Sequence, residues 1–389
     1  PARADEGTAE REETPPLWAM GYAVPAGQRD ETEGFMASNL RLIQQSMQGK
    51  HEAILLTDPV SRRYAAGFAS SAGMALIFKK AAYFLTDFRY FGMAQAAITE
   101  FELIQISREQ PAATIISELL FSHGITTLSY ENLTLTHKEL MDYRKKIKVK
   151  ACSLGDFLER LMCVKSAEEL QRIQHAQAQC EAVLTEILPF LREGVSDLDI
   201  KAEIYYRILK HGLEDVSFAP IVAVGAASAL PHASPCGLVI KAGDVVTIDM
   251  GGVFQGLCSD MTRTFAIGKA DPLVQKVYAT VLDAQSAALD ALCAGMPFED
   301  IDAAARRVIA AAGYGEYFGH LAGHGIGLRV HENLFASRKE GGLSAGSVVT
   351  VEPGIYLPGQ FGVRIEDLCC VTEDGHVNMT RFSKELLIL

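Results

Sequence analysis

The chain has 389 residues, 49% hydrophobic and 22% charged, enough for a folded core and for two to three domains of ordinary size. Its 36 basic and 48 acidic side chains leave a net charge of −12, which repels a phosphate backbone and makes nucleic acid a poor partner. No stretch approaches the roughly 18 apolar residues of a membrane span, the acidic segment from Pro1 to Pro16 does not read as a secretory signal, and eight cysteines without a CxxC pair fit reduced thiols in a cytoplasm better than a disulfide scaffold.

Residues 1–33, rich in Ala, Glu, Pro and Gly, read as an acidic extension, in part disordered. From 34 to 155 strands and helices alternate, the pattern of an α/β domain. A helix is expected over Met36–Met47, then a buried strand at Ala53–Thr57 closed by an Asp58-Pro59 turn. Further strands are expected at Met74–Phe78, Tyr83–Thr86, Leu103–Ile106 and Thr126–Ser129, with helices at Ala113–Leu120 and Lys138–Lys145. A long helix is expected from Leu154 to Leu191, with a capping box at Ser166–Glu169 and a perturbation near Pro189. A second starts at Ser196 and stops at Gly212. Short β runs with glycine turns follow to Phe265, then helices at Val274–Leu292 and Phe298–Ala311, and β structure again from Val348. Residues 156–389 read as a second domain.

The chemistry concentrates in that second domain. His320, His324 and His331 fall within twelve residues, and glycines flank His324 on both sides, as where something approaches the backbone closely. Val245-Val246-Thr247-Ile248-Asp249 is an apolar strand ending in a carboxylate, and after a glycine turn Asp260 opens the return strand. Direct opposition in that hairpin would place the two carboxylates roughly 5 Å apart between Cβ atoms, a costly pairing unless a cation lies between them. Val348-Val349-Thr350-Val351-Glu352 and the return to Glu366 repeat the pattern, which hints at two related halves. Four carboxylates match the charge of two divalent cations, and the imidazole of His324 can complete a set suited to Mn²⁺, Co²⁺ or Zn²⁺. Paired ions of this kind activate a water and polarise a carbonyl together. Other chemistries fail on spacing: His331-Glu332-Asn333-Leu334-Phe335 lacks the second histidine of HExxH, Leu328 stands where GxGxxG needs glycine, and there is no Walker A loop or GxSxG.

The ordered set Asp249, Asp260, His324, Glu352 and Glu366 resembles the metal ligands of the pita-bread metallopeptidases, which include aminopeptidase P, prolidase and methionine aminopeptidase. The resemblance covers 34–389. Tyr64-Ala65-Ala66-Gly67-Phe68 and Thr86-Asp87-Phe88-Arg89-Tyr90 are similar to the amino-terminal domain of aminopeptidase P and prolidase, which methionine aminopeptidases normally lack. Phe218-Ala219-Pro220-Ile221 through Leu230-Pro231-His232 resembles the loop that brings a histidine to substrate in proline-specific members. Creatinase shares the fold but lacks the metal ligands.

This resemblance implies an α/β (α+β) chain: a creatinase-like amino-terminal domain, then a pita-bread catalytic domain. It implies that Asp249 chelates one ion, that Asp260 and Glu366 bridge two, and that His324 and Glu352 complete the second. Manganese is the first expectation, with cobalt or zinc as substitutes. It further implies that His232 and His331 bind the substrate carbonyl and stabilise the tetrahedral intermediate, that His320 helps shape the proline pocket, and that Arg364 holds a carboxylate or positions the bridging ligand. Glu352 would carry the proton from water to the leaving proline nitrogen. The expected reaction is removal of an amino-terminal residue that precedes proline, with an Xaa-Pro dipeptidase as the alternative and a non-catalytic peptide-binding module as the remoter one. A homodimer formed through the first domain is expected on the same ground.

Overall fold

A computed structural model of the chain describes residues 39–333 and 342–389; the extension over 1–33 and the first residues of the helix expected at Met36–Met47 lie outside them. The first strands are β1 (Ala53–Leu56), β2 (Met74–Phe78), β3 (Ala82–Thr86), β4 (Glu102–Gln105), β5 (Thr127–Tyr130) and β6 (Lys150–Ser153). They form one mixed sheet in the order β4-β3-β2-β1-β5-β6. The run Ala53-Ile54-Leu55-Leu56 shows no polar alternation because both faces of β1 are covered. Ile54 and Leu56 pack into the layer that includes α1 (Asn39–Ser46), α2 (Pro59–Ala66) and α6 (Phe157–Cys163). Ala53 and Leu55 meet the opposite layer, built on α4 (Ala112–Ser122) with help from α5 (His137–Lys146).

Three features of this region differ from the sequence reading. Asp58-Pro59 starts α2 rather than closing a turn: the Asp58 carboxylate accepts from Val60 N and Ser61 N, and Pro59 occupies the first helical position, where its missing N–H costs nothing. Helix α3 (Phe88–Ala97) was hidden because only Ala94 is buried, so no apolar stripe marks it. Strand β6 was hidden because it is a partly exposed edge strand, Lys-Ala-Cys-Ser, without an apolar run.

The long helix expected from Leu154 is two helices, α6 and α7 (Ala167–Ile187), separated at Val164–Ser166. Ser166 and Glu169 do form the capping box that starts α7. Helix α8 (Asp197–Lys210) has a reciprocal box between Ser196 and Asp199. There follow β7 (Asp215–Val216), β8 (Ile221–Val224), β9 (Val245–Met250), β10 (Gly252–Phe254), β11 (Leu257–Cys258), β12 (Met261–Ala266), α9 (Pro272–Asp290) and α10 (Phe298–Ala311). The last strands are β13 (Val348–Val351), β14 (Gly354–Leu357), β15 (Phe361–Arg364), β16 (Asp367–Thr372) and β17 (Gly375–Asn378). Among the described residues no helix is long and apolar enough to cross a membrane.

Two helix-on-sheet cores organise this region. One packs α7 and α8 on β8, β9 and β12; the other packs α9 and α10 on β13 to β16. Each core is closed by a helix pair and an antiparallel hairpin, in keeping with the two related halves that the repeated Val-Val-Thr strands suggested. The hairpins meet through β12 and β15, where Arg364 N donates to Thr264 Oγ1 at 3.2 Å and Glu366 N donates to Thr262 O at 3.1 Å.

Candidate active site

Strand periodicity builds the site. Along β9, Val246, Ile248 and Met250 enter the first helix core, so Thr247 and Asp249 face the other way. On β12, Met261 and Phe265 enter the same core, leaving Thr262 and Thr264 on the side of Asp249. On β13, Val349 and Val351 enter the second core and Thr350 turns away, followed by Glu352. Val363 and Ile365 do likewise, leaving Arg364 and Glu366 on the opposite side. A slip of one residue in any of these strands would bury the carboxylates among aliphatic side chains.

Register places the two acidic pairs differently. Asp249 pairs with Thr262 and Met250 with Met261, so Asp260 falls opposite Gly251, diagonal to Asp249 rather than directly opposed as the simple hairpin suggested. The strands pinch there: a Cβ on Gly251 would overlap Ser259 O. In the second hairpin Val351 pairs with Asp367 and Gly354 with Arg364, leaving two unpaired residues on each strand. Glu352 and Glu366 sit in that interruption, opposite one another.

His324 arrives on an irregular segment that adds to the edge of β13. Thr350 N donates to His324 O at 2.8 Å and Glu352 N to Ala322 O at 2.7 Å. Gly323 fits where a Cβ would overlap Thr350 O, so the glycine before His324 does mark a close backbone approach. On the outer side, Asp302 Oδ1 accepts from Ala322 N at 2.9 Å, and Arg306 of α10 donates to Phe318 O at 2.8 Å and also to His320 O.

Five side chains converge. The ligand atoms of Asp260, His324 and Glu366 lie within 4.8 Å of one another. His324 Nε2 is 3.5 Å from Asp260 Oδ2 and 3.7 Å from Glu352 Oε1. Its Nδ1 lies 3.1 Å from Gly325 O, which can only accept, so Nδ1 carries the proton in the neutral ring and Nε2 offers a lone pair to the carboxylates. Arg364 Nη2 donates to Asp249 Oδ2 at 2.7 Å, and Arg364 Nε to Thr262 Oγ1 at 3.1 Å. Thr262 Oγ1 donates in turn to Glu366 Oε2 at 2.7 Å.

The remaining oxygens carry the electrostatic argument. Asp249 Oδ1, Asp260 Oδ1 and Glu366 Oε1 are buried without a hydrogen-bond partner. Burial, and then the neighbouring carboxylates, push Asp260 and Glu366 well above the usual carboxylate range. Burial also raises Glu352, while His324 and Arg364 beside it act in the opposite direction. Clustered acids with orphaned oxygens, facing an imidazole lone pair, form an arrangement that is costly without cations. Carboxylate-rich ligation with one imidazole suits borderline divalent ions.

The other expected residues surround this cluster. His331 is exposed at the site, its ring T-shaped against His324 with centroids 4.2 Å apart. Burial lowers its pKa, with His324 and His232 acting in the same direction. His232 is exposed and follows Pro231, whose carbonyl accepts from Arg364 Nη1 at 3.3 Å. His320 is held on both ring nitrogens: Nδ1 lies 2.7 Å from Leu321 O and Nε2 lies 2.8 Å from Tyr356 OH. Burial pushes its pKa down to about 4, so the ring is neutral. Arg364 is buried, and Asp249, Thr262, Tyr356 and Pro231 occupy its fork; it is not free to meet a substrate carboxylate.

Sequence reasoning missed Tyr356 and Thr262, which link Arg364 to His320 and to Glu366. Thr262 had a signal: with Thr264 it sets hydroxyls at alternate positions of one strand, which marks a polar face. Tyr356 had none, since it lies in an apolar strand and its role depends on the β14–β15 register.

Comparison with known proteins gives the family of the chain. Residues 171–373 match metallopeptidase family M24, and residues 40–163 match the creatinase/prolidase N-terminal domain. The chain is 37% identical over 340 residues to the uncharacterized peptidase YqhT of Bacillus subtilis, covering 87% of this chain and 96% of that one. Its fold is similar to that of an Xaa-Pro dipeptidase from Bacillus anthracis, with a TM-score of 0.86 and 38% identity over 90% of this chain and 99% of that one. It is also similar to an X-Pro aminopeptidase from Thermotoga maritima, with a TM-score of 0.81 and 32% identity over 87% of this chain and 97% of that one. With a creatinase-type amino-terminal domain ahead of a pita-bread domain, this peptidase chain belongs to metallopeptidase family M24.

Proposed function

We propose that the protein is an exopeptidase that uses two divalent ions to hydrolyse the amino-terminal Xaa-Pro bond of peptides. The observation that carries the reading is the set of three buried, unpartnered carboxylate oxygens beside the free Nε2 of His324. Asp249, Asp260, His324, Glu352 and Glu366 would hold the ions, manganese first and cobalt or zinc as substitutes. Bound there, such ions would lower the pKa of a water and polarise the scissile carbonyl.

The chain supplies the remaining chemistry. Glu352, raised by burial, is suited to take a proton and return it to the leaving proline nitrogen. His331 and His232, both exposed, would donate to the carbonyl oxygen as charge develops on it. Arg364 fixes Asp249 directly and Glu366 through Thr262. His320, tied to Tyr356, would be a wall of the proline pocket rather than a hydrogen-bonding contact to substrate. An Xaa-Pro bond has no N–H to recognise, so a pocket selects it by the shape of the ring.

Longer peptides are the favoured substrates. Arg364 is buried with a partner on each of its three nitrogens, and a cavity of about 330 Å³ lined by His331, Leu158 and Asn132 would give room for residues after the proline. The similarity to the Bacillus anthracis protein named an Xaa-Pro dipeptidase supports the second reading. Assaying metal-loaded protein on Xaa-Pro and Xaa-Pro-Yaa separates the two: faster cleavage of the longer peptide is expected, and cleavage of the dipeptide alone would establish the dipeptidase. No cleavage of either, with no metal bound, would favour the binding module. Eight cysteines without a CxxC pair support a reducing cytoplasm, and the exposed Phe88, Met93 and Phe121 on the outer helices of the first domain support a homodimer.

A further inference from the structure

Lys165 lies in the short link between α6 and α7, outside every motif considered above. Its backbone N donates to Gly346 O at 2.9 Å, and Val164 bridges Ser347, so the link is tied to the loop entering β13. Its side chain is only 3% exposed and reaches Glu332, itself 6% exposed, with Nζ 2.6 Å from Oε2. Nζ also donates to Cys163 O at 3.2 Å.

Glu332 directly follows His331 and closes the loop that carries it. Its N donates to Gly325 O at 2.7 Å, and its Oε1 accepts from Leu328 N at 2.9 Å. The side chain folds back so tightly that a Cβ on Gly327 would overlap Glu332 Oε1 and lie 2.8 Å from Lys165 Cε. A second tie holds the near side of the same histidine: Arg329 Nη2 donates at 2.7 Å to Asp58, the cap of α2. The histidine ring is exposed and packs edge-on against His324, so its direction is set mainly by these backbone ties.

A buried ion pair adds little net stability compared with a well-packed apolar pair, so stability alone is a weak reason for this one. What the pair does fix is geometry. Both Glu332 oxygens are used, one holding Leu328 and the other held by a cation from the link between α6 and α7. We propose that Lys165 is a positioning residue that orients His331 through Glu332. This rests on the reading of His331 as a substrate-facing group.

The test is a double-mutant cycle between Lys165→Met and His331→Ala in metal-loaded full-length protein on an Xaa-Pro-Yaa peptide. Lys165→Met is expected to lower kcat/KM roughly 10–100-fold with the metal content unchanged, as for misplacement of a group by about an ångström. Adding it to His331→Ala should cost less than about threefold more, because a histidine that is gone cannot be misplaced. Independent, multiplying losses would overturn the proposal. Should Lys165→Met fail to fold, the neutral pair Lys165→Met/Glu332→Gln leaves no buried unpaired charge and carries the same cycle. Amide exchange gives a reading independent of catalysis: Leu328 and Glu332 N–H should exchange faster in the Lys165 variant, and unchanged exchange would also overturn it. Full activity of His331→Ala, or no peptide cleavage by the wild type, would instead remove the functional reading and leave the exchange result standing alone.

Discussion

Asp249 and Asp260 stand diagonally on the first hairpin, whereas Glu352 and Glu366 stand opposite one another on the second. In the first, Asp249 stays inside a continuous ladder and its carboxylate is aimed by a side chain, Arg364, from the other hairpin. In the second, the ladder is interrupted at both glutamates, and their backbone N–H groups are lent to Ala322 and Thr262. Asp249 is therefore aimed by a side chain from across the hairpins, whereas both glutamates hang on main chain that neighbouring segments hold. The contrast teaches that similar Val-Val-Thr strands can supply one site by unlike means, and that point mutations should expose the difference.

The largest effect is expected at Asp260, where both hairpins would share an ion. Asp260→Ala should reduce kcat/KM by about a thousandfold or more, the kinetic equivalent of several kcal/mol, and lower the bound metal. Activity assays and elemental analysis of the same preparation check this. A variant with normal metal and normal turnover would break the symmetry of roles assigned to the two hairpins.

Arg364→Met comes next, because it removes the side-chain support of Asp249. A buried carboxylate left without its partner costs about 3–5 kcal/mol, so denaturant unfolding should show a loss of that order, accompanied by weaker metal binding. Thr262→Val isolates the smaller link from Arg364 to Glu366. Loss of that buried hydrogen bond should cost about 1–3 kcal/mol and roughly tenfold in metal affinity. If it costs as much as Arg364→Met, the threonine is more than a relay between the hairpins.

The smallest effect at neutral pH is expected at His320, on the periphery of the second hairpin, where the change appears only on acidification. Burial, with Arg364, Arg306 and His232 acting the same way, takes its folded pKa from an ordinary 6.5 to about 4. A lowered folded pKa contributes stability that is present above pH 6.5 and lost as the pH falls through 4. His320→Gln should flatten the stability curve in that window by up to about 3 kcal/mol, read from chemical denaturation at stepped pH. An unchanged slope would show that His320 is not the group protonated there.

Much of this contrast was legible before the fold. Four of the five proposed ligands stood out because carboxylates at the ends of apolar strands are expensive, His324 because glycines flank it within a histidine cluster, and the helices over Phe298–Ala311 and from Ser196 announced themselves through periodicity and capping. The diagonal placement of Asp249 and Asp260 was not legible, because it depends on where Gly251 lets the strands pinch together. Arg364 was found, but its partners were not: they come from β9, β12 and β14, and only the register brings them together. Asp58-Pro59 misled for a local reason, since the same dipeptide opens a turn or caps a helix and the choice depends on what packs afterwards. Lys165 gave no signal, because a lone lysine in a linker looks like a solvated one.

The central claim is that both hairpins jointly hold a pair of ions. Metal-stripped protein titrated with Mn²⁺, followed by calorimetry and by cleavage of an Xaa-Pro-Yaa peptide, tests it most directly. Two bound ions per chain, with cleavage restored as they bind and both lost in Asp260→Ala, is the predicted result. A chain that binds no Mn²⁺, Co²⁺ or Zn²⁺, or whose binding and cleavage are unaffected by Asp260→Ala, would contradict it.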